Sequence, residues 1–118
     1  VQAVAAAGDG HSVTLTADAI DVNAVVSATG AGSDVLLRAD EIAINADITA
    51  LDDRVTLVQQ TDDRPINLGS ATSATTLDLS SAELGRVTAS VLQVGVEQSG
   101  SIAVTSTVAP VNAANCTW

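Results

Sequence analysis

The sequence has no lysine, methionine, phenylalanine or tyrosine, and a single histidine, cysteine and tryptophan among its 118 residues. Each absence excludes something. With no lysine, the four basic groups are all arginines (Arg38, Arg54, Arg64 and Arg86), set against 14 acidic residues, for a net charge of −10. That balance argues against nucleic acid, whose phosphates need a basic footprint, and against an anionic membrane surface. It suits a soluble, self-repelling surface outside a cell. Cys116 has no partner for an internal disulfide. His11 has no second histidine or cysteine near it in sequence, so it reads as an exposed turn residue and not as a zinc ligand. No apolar run reaches the ~18 residues of a spanning helix. No charged and apolar leader precedes Val1, as expected of a mature or excised chain.

What is present is small and branched. The hydrophobic share is 47%, nearly all Ala, Val, Leu and Ile, which fit a narrow interior where large rings would force layers apart. Residues 8–50 read as one 22-residue unit written twice. Gly8/Gly30, Gly10/Gly32, Val13/Val35, Leu15/Leu37, Ala17/Ala39, Asp18/Asp40, Ile20/Ile42, Asn23/Asn45, Ala24/Ala46 and Ala28/Ala50 are identical without a gap. A fixed period in this range marks a stacked-repeat architecture. Within the first copy Val13, Leu15 and Ala17 alternate with Thr14 and Thr16; the phase slips at Asp18-Ala19, and Ile20, Val22, Ala24, Val26 and Ala28 resume it. Alternation with period two means strands with one face buried. The same slip in both copies means a corner.

These features predict an all-β fold: a single-stranded parallel β-helix, or β-solenoid, with two strands and a Gly-x-Gly turn per rung. At ~22 residues per rung the chain holds about five, a stub roughly 25 Å long at strand spacing. One rung alone cannot hide its Val, Leu and Ile; stacking closes the core from above and below. Leu15 is expected on Leu37 and Ile20 on Ile42, with Asn23 and Asn45 forming an amide ladder.

Residues 1–7 read as a preceding rung or a pairing strand, 8–104 as the solenoid and 105–118 as an irregular tail. After the two clear copies the pattern loosens. Asp52-Asp53-Arg54 reads as a polar turn before a strand at Val55–Val58, and Gln59–Pro65 as the next turn. Ile66 and Leu68 point inward, Gly69–Thr75 is a loop, and Leu77 and Leu79 form a short strand. Ser80 and Glu83 have capping-box spacing, which predicts one helical turn or a wide corner. Leu92, Val94 and Val96 alternate again, and Ile102 and Val104 close another rung.

The segments Arg64-Pro65-Ile66-Asn67-Leu68-Gly69, Leu77 to Ala89, Val94-Gly95 and Ser99 to Val104 together resemble the β-strand repeats of very large bacterial exoproteins of the filamentous haemagglutinin and adhesin type. The Val-x-Leu-x-Ala-x-x-Ile units before them are similar to the same family. The resemblance covers residues 8–108. It implies a secreted, right-handed β-helix acting as a stalk, matrix fibre or adhesin shaft, and it carries no catalytic residues. The chain departs from the family pattern after Val108, where further rungs would be expected.

Catalysis is not expected. His11 and Cys116 lie at opposite ends of a stack, and no constellation meets the geometric requirements of a nucleophile and its base. The paired carboxylates Asp52-Asp53 and Asp62-Asp63 are the candidate calcium ligands if the intervening residues bring them together. The alternative is two solvated turns screened by Arg54 and Arg64, and the Gly-rich nonapeptide of calcium β-rolls is missing. No other cofactor is expected. Open solenoid ends predict end-to-end association of copies, with Val1, Val4, Cys116 and Trp118 as the candidate assembly residues. The rival expectation is a segment that recognises a glycan or host protein, for which Trp118 is the one available aromatic.

Overall fold

Val13, Thr14 and Leu15 set the pattern of the first strand of the 22-residue unit, and the structure lays its equivalent 22 residues later directly on top. The computed structural model describes residues 4–7, 10–69 and 73–108, with the backbone alone for residues 4–7, 51 and 52. In chain order the elements are β1 (Val4–Ala7), β2 (Val13–Thr16), β3 (Ala19–Val22), β4 (Val26–Thr29), β5 (Val35–Arg38), β6 (Glu41–Ile44), β7 (Ile48–Val58), β8 (Ile66–Leu68), β9 (Leu77–Leu79), α1 (Ser81–Leu84), β10 (Val87–Val94) and β11 (Ile102–Val104). The protein is all-β apart from α1, and every strand pairing among the described residues is parallel.

The strands sort into three faces. The first is β2-β5, then the second half of β7 and of β10; Leu15 pairs with Leu37, Leu37 with Leu57, and Leu57 with Val94. The second begins with β3-β6, where Ile20 pairs with Ile42. The third is β1-β4, then the first half of β7 and of β10, with Val26 on Ile48 and Ile48 on Val87. The expected pairs Leu15/Leu37 and Ile20/Ile42 are therefore direct neighbours. Asn45 Nδ2 donates to Asn23 Oδ1 at 3.1 Å, so the amide ladder forms as well. Inward residues of all three faces make one aliphatic core, in which Val22, Val35, Leu37, Ile48, Val55 and Leu57 are wholly buried. β1 lies on β4 of the same chain.

Three expectations change. Each unit has three strands and not two, because the run from Ile20 to Ala28 breaks at residues 23–25 between β3 and β4. Val22 and Val26 stay buried on either side of that break, so the alternation keeps its phase through the corner. Second, Asp52-Asp53-Arg54 does not interrupt the strand: β7 is one continuous 11-residue strand that passes from the third face to the first. The two-residue Gly-x-Gly allowance is gone there, and the period falls from 22 (Val13 on Val35) to 20 (Val35 on Val55). Third, Ile102 and Val104 do not close a buried rung. They are 51% and 66% exposed, because β11 is the edge of its sheet and lies beyond the last inward column.

The second face also departs from simple stacking. β11, β8 and β9 form their own three-stranded sheet, in which Ile66 pairs with both Leu77 and Ile102. β9 lies against β6, but no ladder joins them among the described residues. β8 follows β7 as β11 follows β10. β9 is thus an extra strand, wedged between β6 and β8.

After β9 the corner is helical. Ser80 caps α1, its hydroxyl accepting from the Glu83 N–H while the Glu83 carboxylate accepts from the Ser80 N–H at 2.8 Å. Glu83 also accepts from the Ile44 N–H at 3.2 Å, tying α1 to β6. Leu84 is buried beneath. Glu83→Ala removes both bonds, and we expect a loss of about 1–2 kcal/mol in urea unfolding, with Glu83→Gln retaining part of it.

Candidate functional site

The corners carry most of the polar chemistry. Where the third face meets the first, Gly30, Gly32 and Ser33 turn the chain. Gly32 has φ +73, which only a residue without Cβ adopts cheaply. The Asp53 carboxylate above accepts from the Gly32 N–H (3.0 Å) and the Ser33 N–H (3.1 Å). Asp34 repeats this one position on: its carboxylate accepts from the Arg54 N–H, and its N–H donates to Ser12 Oγ. His11 is exposed, and its N–H donates to Ser33 Oγ.

Where the first face meets the second, Asp40 is the hub. It accepts from the Gln60 N–H (3.0 Å), the Thr61 N–H (2.8 Å) and the Thr61 hydroxyl (2.5 Å), and Arg64 Nε stands 3.8 Å away. Below it, Asp18 accepts from Gln60 Nε2 at 3.1 Å. Burial pushes the Asp40 carboxyl up. The bonds from the Thr61 side chain, the Thr61 and Gln60 backbone, and the Arg64 charge together outweigh this, and hold it below the usual carboxylate range.

Of the candidate calcium ligands, Asp53 does not meet Asp62 and Asp63. Asp53 and the Asp62-Asp63 turn sit at opposite ends of Val55–Val58, a strand segment of about 13 Å at 3.3 Å per residue. The Asp53 carboxylate is committed to the turn below it. Asp63 adopts φ 61, and its N–H donates to the Gln98 carbonyl at 2.9 Å. The Asp52 side chain lies outside the described residues, as do Val1, Cys116, Trp118 and the side chain of Val4. No group of three ligating side chains occurs among the described residues.

A cavity follows from the wedge. Where β9 fails to continue the β3–β6 ladder, a cleft of about 540 Å³ opens on the outer side of the second face, bordered by Gly69 and by residues 73–76. Asp21, Glu41 and Ala43 line one side, and Ser73, Thr76 and Asp78 the other, with Glu83 and Ser80 at one end. Asp78 organises this border: its carboxylate accepts from the Ser73 N–H, the Thr76 hydroxyl (2.7 Å) and Asn67 Nδ2 (3.1 Å). Arg64 supports it from behind, donating to the Ala74 carbonyl at 2.8 Å. Four carboxylates make the cleft a site that attracts cations and hydrogen-bond donors and repels anions. Its hydroxyls face carboxylates already engaged in backbone bonds, with no imidazole or thiol among the described lining residues.

Sequence reasoning did not find this cleft. The signal was indirect: Asp78 beside the Ser/Thr-rich residues 73–76, and Glu83 in a capping box. No family model matches the chain, and neither a curated protein nor a solved structure does.

Proposed function

We propose that the chain is a structural, non-catalytic segment of a secreted bacterial surface fibre or adhesin shaft, built as a right-handed β-solenoid of about five turns. The observation that carries this reading is the in-register parallel pairing of successive 22-residue units over one aliphatic core. Such a stack gains main-chain hydrogen bonds and core contacts with each added turn, and it offers no flexible interior for proteases. Its first and last turns present strand edges, which favour pairing with a further turn. Copies of these 118 residues taken alone are therefore expected to associate end to end through heterologous contacts that do not close.

Sedimentation velocity across the micromolar range tests this, together with electron microscopy of the same samples. Concentration-dependent species and elongated particles are expected. A monomer at every concentration, seen as a compact globule, would sink the assembly reading.

A second reading is favoured by the cleft. A carboxylate-lined groove of this size on a shaft accepts a hydroxyl-rich or cationic ligand, such as a glycan or a basic segment of a host protein. Binding on a glycan array that is lost in Glu41→Ala, with the far-ultraviolet circular dichroism unchanged, would support it over the purely structural role.

A further inference from the structure

The gap between β6 and β9 interrupts hydrogen bonding in a stack that is otherwise continuous. On the first and third faces, main-chain ladders run through from β7 to β10. On the second face, β3–β6 and β9–β8–β11 are separate sheets. Several polar ties across that seam are of a different kind, since they end on carboxylate oxygens; beside them Arg38 donates to the Gln60 carbonyl at 3.4 Å. Asp40 takes the Gln60 N–H, the Thr61 N–H and the Thr61 hydroxyl at the entry to β8. Asp18 takes Gln60 Nε2. Glu83 takes the Ile44 N–H at the exit from β9.

We propose that this seam is an acid-released latch: protonating Asp40, which spans it at the entry to β8, loosens the β9–β8–β11 sheet from β3–β6, while the first and third faces stay intact. The chemistry follows from what a carboxyl loses. Ionised, Asp40 accepts three hydrogen bonds and faces the Arg64 charge at 3.8 Å; protonated, it loses the charge that strengthens those bonds and the attraction to Arg64, and the tie weakens. The ladders of the other faces join amide to carbonyl and do not titrate.

The charged surroundings act in the same direction. Asp18 below Asp40, Glu41 beside it and Asp62 and Asp63 in the turn above are acidic, with Arg38 and Arg64 the facing cations. Around Glu83 stand Asp21, Glu41 and Asp78 across the cleft, and Asp47 and Arg86, themselves 4.0 Å apart, beyond α1. The sign is fixed by Asp40. Its carboxyl is held below the usual value of 3.8 in the folded chain. Its contribution is therefore present above that value and is lost as pH falls through the lower, folded one.

Hydrogen exchange at single-amide resolution tests the latch, with intrinsic rates corrected for pH. With falling pH, protection of Ile44, Gln60 and Thr61 is expected to drop between 3.8 and the lower, folded pKa of Asp40, by at most about tenfold per pH unit, and to level off below it. Ile48, bonded to the Arg86 carbonyl, and Gly95, bonded to the Leu57 carbonyl, are expected to keep theirs. Asp40→Asn combined with Glu83→Gln should reproduce the selective loss at neutral pH. If all five amides lose protection together in acid, opening is global and the latch is wrong. If the double variant folds and protects Ile44, Gln60 and Thr61 as the native chain does, the carboxylates do not hold the seam. Should that variant fail to fold, the acid series on the native chain still decides.

Discussion

Leu37→Ala is expected to cost about 4 kcal/mol, near the upper part of the range for buried leucines. Leu37 is wholly buried, with Leu15 on one side and Leu57 on the other in a single inward column. The cost of such a deletion depends on how far the surroundings relax into the space. Here they relax little, because main-chain ladders fix the separation of β2, β5 and β7. Leu15→Ala removes the same atoms at the half-buried first position of the column, and about 1–2 kcal/mol is expected there. Equilibrium urea unfolding of the two variants measures the difference. Equal losses would mean that the column is not the stabilising unit. Against a total stability of about 5–15 kcal/mol for an ordinary domain, Leu37→Ala alone consumes a large share.

Gly100→Ala should come next, at about 2–3 kcal/mol by overpacking. A Cβ at Gly100 would run into the backbone carbonyl of Asp63 and come within 3.0 Å of the Arg64 carbonyl carbon. Both are main-chain atoms, which cannot swing aside as a side-chain tip can. The crowded place is the clasp between two turns, where Asp63 N–H donates to Gln98 O and Gly100 N–H to Arg64 O at 3.1 Å. Beside it the Ser99 hydroxyl donates to Gln59, 1% exposed, at 2.6 Å. Gly32→Ala is the matched control. Its Cβ would meet nothing within 4 Å, so the loss there is the left-handed backbone strain alone, about 1 kcal/mol. Thermal unfolding of both variants checks the ranking. A Gly32→Ala loss as large as that of Gly100→Ala would show that conformation, not space, governs these turns.

The legible part of this fold is the part where equivalent residues sit at a constant interval. Leu15 and Leu37, Ile20 and Ile42, and Asn23 and Asn45 announce their contacts because stacking sets equal side chains over one another. The capping box at Ser80 and Glu83 was readable for a different reason, since its bonds are local and depend on spacing alone. The corner at residues 23–25 was hidden because it conserves the inward phase of Val22 and Val26. The third turn was obscured by lost loop residues, which shifted its partners from 22 to 20 positions away. β9 was beyond reach as a wedge. Leu77-Asp78-Leu79 reads as a strand, but nothing in three residues states which neighbour it takes. The cleft inherits that difficulty, since Asp21 and Glu41 meet Asp78 and Glu83 only because β9 sits beside β6.

One added strand on one of three faces has a geometric effect on any longer shaft that contains it. Strands are about 4.8 Å apart, and the molecule is 26–28 Å across. Lengthening a single side by that amount corresponds to a tilt of about 10° between the turns below and above it. Straight shafts need equal strand counts on every side. A wedge such as β9, recurring at intervals, would give a curved rod whose arc is set by how often the sequence inserts it.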